Sequence, residues 1–288
     1  MRTRTTTTAV VVATLALAGC TVTAAPSPGS VEPASAVAPA HLPLPVSTTT
    51  PAPAATPTST RLPASPIPET KPLSGRLVVI DPGHNGVWTR RELRKVPSGN
   101  GRTKECNSSG TATNAGYPEH AYTWAQARAL AAVLRARGAT VLLTRQNDSG
   151  EGPCVNLRSS LANARKADAL VSIHADGSFA RGARGFHVIV STRMVGGAAV
   201  EKASLGLAKS LRDALETETA MPRSTYIGAG TALSLRNDLG TLNLSARTAV
   251  MLEMGNMRNA TDASLLGSTV FRAQAAKALA DGLTAALR

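Results

Sequence analysis

The chain has 288 residues, a formal net charge of +13 and only 3% aromatic residues. The length allows one or two domains, and the charge favours an anionic partner or surface. So few rings leave no stacking platform for single-stranded nucleic acid, which is excluded as a partner.

In chain order, Arg2 and Arg4 precede the apolar run AVVVATLALAG at 9–19. That is the layout of a secretory signal, and the run is too short for a comfortable transmembrane helix. It ends in LAGC, which resembles a bacterial lipobox and would make Cys20 the lipidated N-terminus. Ordinary secretion with cleavage after VTA at 22–24 is the alternative. Residues 1–20 are therefore expected to be a signal segment. Residues 21–74 are rich in Pro, Thr and Ala and cannot bury enough apolar surface to offset chain entropy. They are expected to form a disordered tether; about 50 residues at ~3.1 Å each would span roughly 150 Å. Residues 75–288 are long enough for one sizeable core. Only Arg2, Arg4, Arg61, Lys71, Glu32 and Glu69 lie before residue 75, so about +11 of the +13 belongs to this part. In an exported chain, an anionic cell-wall polymer suits that basic surface, with solubility charge as the plain alternative.

Cys106 and Cys154 remain once Cys20 is assigned to the leader. An even pair in an exported domain reads as one disulfide. A loop of that length gives roughly 4 kcal/mol in the chain-entropy model.

Residues 77–80 form an apolar run that ends abruptly in Asp81-Pro82-Gly83-His84. This predicts a buried strand with His84 at its carboxyl edge, where open α/β sheets bind ligands. The polar, Gly-rich stretch 85–118 is long for a loop and is expected to be functional. It is expected to gate the site; packing beside it under the disulfide is the alternative. A helix follows to about 138, with Pro118 in its first turn and an apolar stripe of Ala121, Trp124, Ala125, Leu130 and Leu134. Strands are predicted at 140–144, 168–173, 185–191 and 248–253, and helices at 156–166 (capped by Asn156), 197–217 and 268–287. The alternation predicts one α/β domain with an open, largely parallel sheet of about six strands. Three strands deliver His84, His174 and Glu253 to one edge, and Glu119 and His120 open a helix on the same side. Two His and a carboxylate suffice to bind a catalytic zinc.

The pieces VVIDPGHNG, PEHAYTWAQARAL, LLTRQND, NLRSSLANARKADALVSIHADG and LRNDLGTLNLSARTAVMLEMGNMRN together resemble the zinc-dependent N-acetylmuramoyl-L-alanine amidases of the Amidase_3 family, over essentially 76–288. The resemblance implies helices on both faces of the sheet. It implies His84, Glu119 and His174 as ligands of one zinc ion and Glu253 as acid–base. The bond cut would join the lactyl group of N-acetylmuramic acid to L-alanine of the stem peptide. His120 points about 100° away from Glu119 on a helix, so the family pattern leaves it to the neighbouring cleft or solvent. Asp81 and Asp176 are expected to support the strand ends. His187 is expected in the sheet face, with substrate contact as the alternative. The loop with Arg236 and Asp238 is expected beside the site. Peptidoglycan is the expected partner, the membrane is reached only through a lipid on Cys20, and a monomer at the outer membrane face or wall is expected. Another zinc-dependent wall peptidase, or a non-catalytic peptidoglycan binder, stays open at this point.

Overall fold

Val78, Val79 and Ile80 are all fully buried, which requires cover on both faces of their strand. The computed structural model describes residues 70–288. The expected signal segment, most of the tether and Cys20 lie outside the described residues. From its start the chain forms β1 (Leu77–Pro82), a small hairpin of β2 (Lys95–Pro97) and β3 (Thr103–Glu105), α1 (Glu119–Ala136), β4 (Thr140–Leu143), α2 (Val155–Ala164) and β5 (Ala169–Asp176). It continues through β6 (His187–Ser191), α3 (Ala198–Glu218), β7 (Leu233–Arg236), α4 (Gly240–Asn243), β8 (Ala249–Asn256), α5 (Ala260–Gly267) and α6 (Thr269–Leu287). The six-strand sheet has the order β4-β1-β5-β8-β6-β7. Strands β4, β1, β5 and β8 run parallel, β6 runs antiparallel to β8, and β7 runs parallel to β6. This is the expected open, largely parallel α/β sheet. Among the described residues, no helix is long and apolar enough to cross a membrane.

Alternation along each strand divides the core. Val78, Ile80, Val171, Ile173, Val250 and Leu252 face α1, α3 and α6, whose Ala275, Ala276, Leu279 and Leu283 fill that layer. Val79, Leu170, Ile189 and Met251 face the thinner layer, with Ala162 of α2 and Leu242 of α4. By the same period of two, Asp81, His174, Glu253 and His187 all project on this thinner side, beyond its apolar patch. Leu73 is also buried, and its N–H donates to the Arg137 carbonyl at 3.0 Å, fastening the start of the described chain to the end of α1.

Several local expectations are corrected. The buried stripe of α1 is Tyr122, Thr123, Gln126, Ala127, Leu130, Ala131 and Leu134, rotated from the stripe read in the sequence. Its two polar members have partners: Thr123 Oγ1 donates to Gly83 O at 2.8 Å and Gln126 Nε2 to Arg272 O at 3.2 Å. Pro118 is the N-cap of α1 rather than part of its first turn. Asn156 does not cap α2; Cys154 holds that place, and the Val155 N–H is taken by the Cys106 carbonyl at 2.7 Å. The segment expected as a loop with Arg236 and Asp238 instead begins with the end of the edge strand β7 and leads into the turn of α4. A further helix, α5, precedes the last one, with Asn259 capping α5 and Ser268 capping α6.

Cys106 and Cys154 form the expected disulfide, 48 residues apart. It joins the end of β3 to the start of α2 over the small cluster of Val96 and Val155. Replacing both cysteines by serine is expected to lower stability by about 2–4 kcal/mol. Urea unfolding checks this, and an unchanged midpoint contradicts it.

Candidate active site

The turn after β1 is the most heavily braced segment of the sheet edge. Gly83 N–H donates to Ile173 O at 2.9 Å, and Arg145 Nε donates to Pro82 O at 3.1 Å. A Cβ on Gly83 would lie 2.3 Å from His174 Cε1, so only glycine permits this approach. His84 then adopts φ +60°, a left-handed backbone uncommon for a residue with a side chain. Arg158 of α2 holds this conformation in place. Its guanidinium donates to Asp81 Oδ1 at 2.6 Å, Pro82 O at 2.9 Å, His84 O at 2.9 Å and Asn85 Oδ1 at 2.8 Å. Asp81 also accepts from Thr144 Oγ1 at 2.5 Å and Ser172 Oγ at 2.6 Å. Burial alone would raise the Asp81 carboxyl, but Arg158 and these hydroxyls hold it below its ordinary value. Asp81 thus braces the turn through Arg158, a residue the sequence reading did not single out.

His84, Glu119 and His174 meet here, with one ligand-type atom from each within 4.8 Å of the others. His84 Nε2 lies 3.0 Å from Glu119 Oε2, and His174 Nδ1 lies 3.0 Å from Glu119 Oε1. The Ser108 carbonyl sits 2.8 Å from His84 Nδ1 and fixes that ring with Nε2 turned inward. Each Glu119 oxygen also accepts a backbone N–H, from Ala175 at 3.0 Å and Thr111 at 2.9 Å. Burial opposes a charged Glu119, but the two imidazoles outweigh it and hold the carboxyl far below the usual range. Burial lowers His174. Burial also acts to lower His84, but the Glu119 carboxylate outweighs it and leaves His84 raised.

Glu253 stands beside them, paired in register with His174 on one side and His187 on the other. Among the described residues, its Oε2 is buried without a partner. Burial pushes its carboxyl well above the ordinary value; Glu119 and Asp176 push the same way, and Arg236 opposes them. His187 was expected in the sheet face. Because β6 is antiparallel, the first residue of that strand lies at the carboxyl ends of β5 and β8. His187 is 2% exposed, its Nδ1 has no partner among the described residues, and burial pulls it down to about 4. Asp176 accepts from Tyr226 Oη at 2.7 Å, and the Tyr226 ring meets that of His187 edge-on at 6.2 Å. Tyr226 was also missed by the sequence reading.

A cleft of about 770 Å³ opens over this floor, bounded on its far side by Lys95, Lys104 and Glu105 of the hairpin. The hairpin is tied to the opposite loop: Asn100 Nδ2 donates to Asn237 O at 2.9 Å and Lys104 Nζ to Asp238 O at 3.3 Å. Arg236 and Asp238 pair with each other at 2.6 and 2.7 Å, exposed at the edge of β7 and outside the cleft lining. His120 also lies apart from the cluster, with Nδ1 2.9 Å from Asp148 Oδ1.

The donor set suits a divalent cation. His84 Nε2 and His174 Nδ1 face each other at 3.1 Å beside one carboxylate, an arrangement of lone pairs that a shared cation satisfies. Two imidazoles and a carboxylate are zinc-type ligands, and a separate buried carboxylate stands next to them. Site and fold together are those of a hydrolase whose donor set suits a metal ion. The sequence profile of the Amidase_3 family, N-acetylmuramoyl-L-alanine amidase, matches residues 78–285, and the chain belongs to that family. The N-acetylmuramoyl-L-alanine amidase Rv3717 of Mycobacterium tuberculosis is 43% identical over 211 residues, covering 73% of this chain and 86% of the relative. The crystal structure of the amidase Ami1 from Mycobacterium smegmatis matches with TM-score 0.71 and 41% identity, covering 75% of this chain and 98% of that one. The AmiC2 amidase of Nostoc punctiforme, at 24% identity and TM-score 0.56, shares the fold over 73% of this chain and 96% of its own.

Proposed function

We propose that the chain hydrolyses the amide between the lactyl group of N-acetylmuramic acid and L-alanine of the peptidoglycan stem peptide, with His84, Glu119 and His174 holding one zinc ion. The observation that carries this reading is the convergence of those three side chains beside the unpartnered Glu253 carboxyl. When bound, zinc supplies Lewis acidity to the amide carbonyl and to water. Glu253 Oε2, raised in basicity by burial and by neighbouring carboxylates, takes a proton from the attacking water and returns it to the leaving nitrogen. Ser108 keeps the His84 ring turned, and Arg158 keeps the His84 backbone in its left-handed turn. Neutral His187, opposite Glu253, lines up as a support for that carboxyl or as a substrate contact.

Metal analysis tests the ligand set. The wild-type chain is expected to retain close to one zinc per chain after gel filtration, and Glu119→Ala to lose it. Retention of metal by Glu119→Ala would overturn the assignment.

Residues 1–20 act as an export signal, with Cys20 as the lipid-bearing residue. The expected tether would end before Leu73, which is buried against the catalytic domain, and would let that domain work at the outer membrane face or in the wall. The basic surface suits anionic wall polymers. The hairpin gates the cleft through its bonds to residues 237 and 238. Asn100→Ala is expected to raise kcat/KM on intact sacculus by roughly two- to tenfold, the weight of one hydrogen bond. Activity on a small muramyl peptide should stay unchanged. An equal or lower rate on sacculus would remove the gating reading.

A further inference from the structure

A second depression, of about 340 Å³, lies on the outer side of the 109–112 segment, and the chemistry above does not use it. Trp88, Ser109, His120 and Arg258 line it, and Gly110 and Thr111 also line the catalytic cleft, so the two lie side by side along that segment. Trp88 is 48% exposed in a chain with only two tryptophans. The other, Trp124, lies under the Arg145 guanidinium at 5.1 Å. An indole left in water at a groove wall is an unused apolar face with a polar edge. His120 stands outside the His84–Glu119–His174 cluster and is held in place by its neighbours. Its Nδ1 is engaged by Asp148, which also accepts from Arg145 Nη1 at 2.8 Å. Arg145 is itself buried and donates to the carbonyls of Pro82 and His120. The ring is therefore fixed, and Nε2 is its one remaining polar atom on the groove wall. Phe179, 81% exposed, extends the same run of surface by stacking on Arg258 at 4.8 Å.

A flat aromatic face beside a fixed hydrogen-bonding ring matches a pyranose sugar. Its C–H face stacks on a ring while its hydroxyl and N-acetyl groups take hydrogen bonds. The far wall of the cleft carries Lys95 and Lys104, which suit the carboxylates of a peptide instead. Building on the amidase reading, in which the amide joins a neutral sugar to an acidic peptide, we propose that this groove is the glycan subsite. One N-acetylated sugar stacks on Trp88 and bonds to His120, while the stem peptide extends towards Lys95 and Lys104.

The test separates binding from catalysis. Peptide-free oligomers of β-1,4-linked N-acetylglucosamine are titrated into the full chain by calorimetry, and KM and kcat are measured on a stem peptide attached to a glycan strand. Wild type is expected to bind the oligomer. Trp88→Ala should weaken binding about tenfold and raise KM in proportion, with kcat within twofold. Trp88→Phe should restore most of the affinity, which a purely structural role would not require. Failure of the oligomer to bind wild type, or equal binding by Trp88→Ala, would overturn the subsite. Oligomer binding without any amide cleavage would instead count against the amidase reading while leaving the sugar site standing.

Discussion

Glu253→Gln is expected to lower kcat by about 10²–10⁴ while the chain folds normally and keeps its metal. The substitution preserves shape and removes the one group placed to move a proton between water and the leaving nitrogen. The same change has an opposite effect on stability. In the metal-free chain, the folded pKa of Glu253 lies above its unfolded value because of burial and the nearby Glu119 and Asp176 carboxylates. The folded state then binds the extra proton over the interval between the two values. Stability is lost as pH rises through that interval. Glu253→Gln removes this penalty. In chelator, the variant should melt at the same temperature as wild type near pH 4 and at a higher one near pH 8. Lower stability at both pH values, or activity within threefold of wild type, would contradict this account of Glu253.

Arg158→Met is the second large effect. Arg158 and Asp81 are 2% and 0% exposed, so removing the guanidinium leaves a buried carboxylate without its cation and the His84 carbonyl without its donor, while Pro82 O keeps only Arg145. Breaking one partner of such a buried pair costs about 3–5 kcal/mol. The His84 turn also loses its main brace, so metal affinity should fall about 10- to 100-fold. Adding Asp81→Asn should recover part of the stability, because the stranded charge is gone, but not the metal affinity. Urea unfolding and competition with a zinc chelator measure the two effects. A stability loss under 1 kcal/mol would show that the network is not the support described.

The strand ends at His84, His174 and Glu253 were legible because an apolar run that stops at a polar residue marks a sheet edge. Position at the start of a helix following such a strand offered Glu119 and His120 alike, and the family resemblance decided between them. His187 was not, because nothing in GFHVIVS tells whether β6 runs with or against its neighbours, and only the antiparallel choice puts its first residue next to Glu253. Arg158 was hidden for a different reason. A buried Asp81 demands a cation, but a chain with 31 basic residues offers too many candidates to choose one by pattern. The α1 stripe was misread because Thr123 and Gln126 are polar yet buried, their hydrogen bonds being made to distant backbone. The edge strand β7 and the hairpin are three or four residues each, too short for periodicity to register.

Product mass spectrometry on a defined muramyl peptide tests the central claim most directly. The purified chain is incubated with zinc and, separately, with chelator. The account predicts release of the intact stem peptide with a free L-alanine amino terminus, in zinc only. Cleavage within the peptide that leaves L-alanine on the lactyl group, or the same products in chelator, would contradict it.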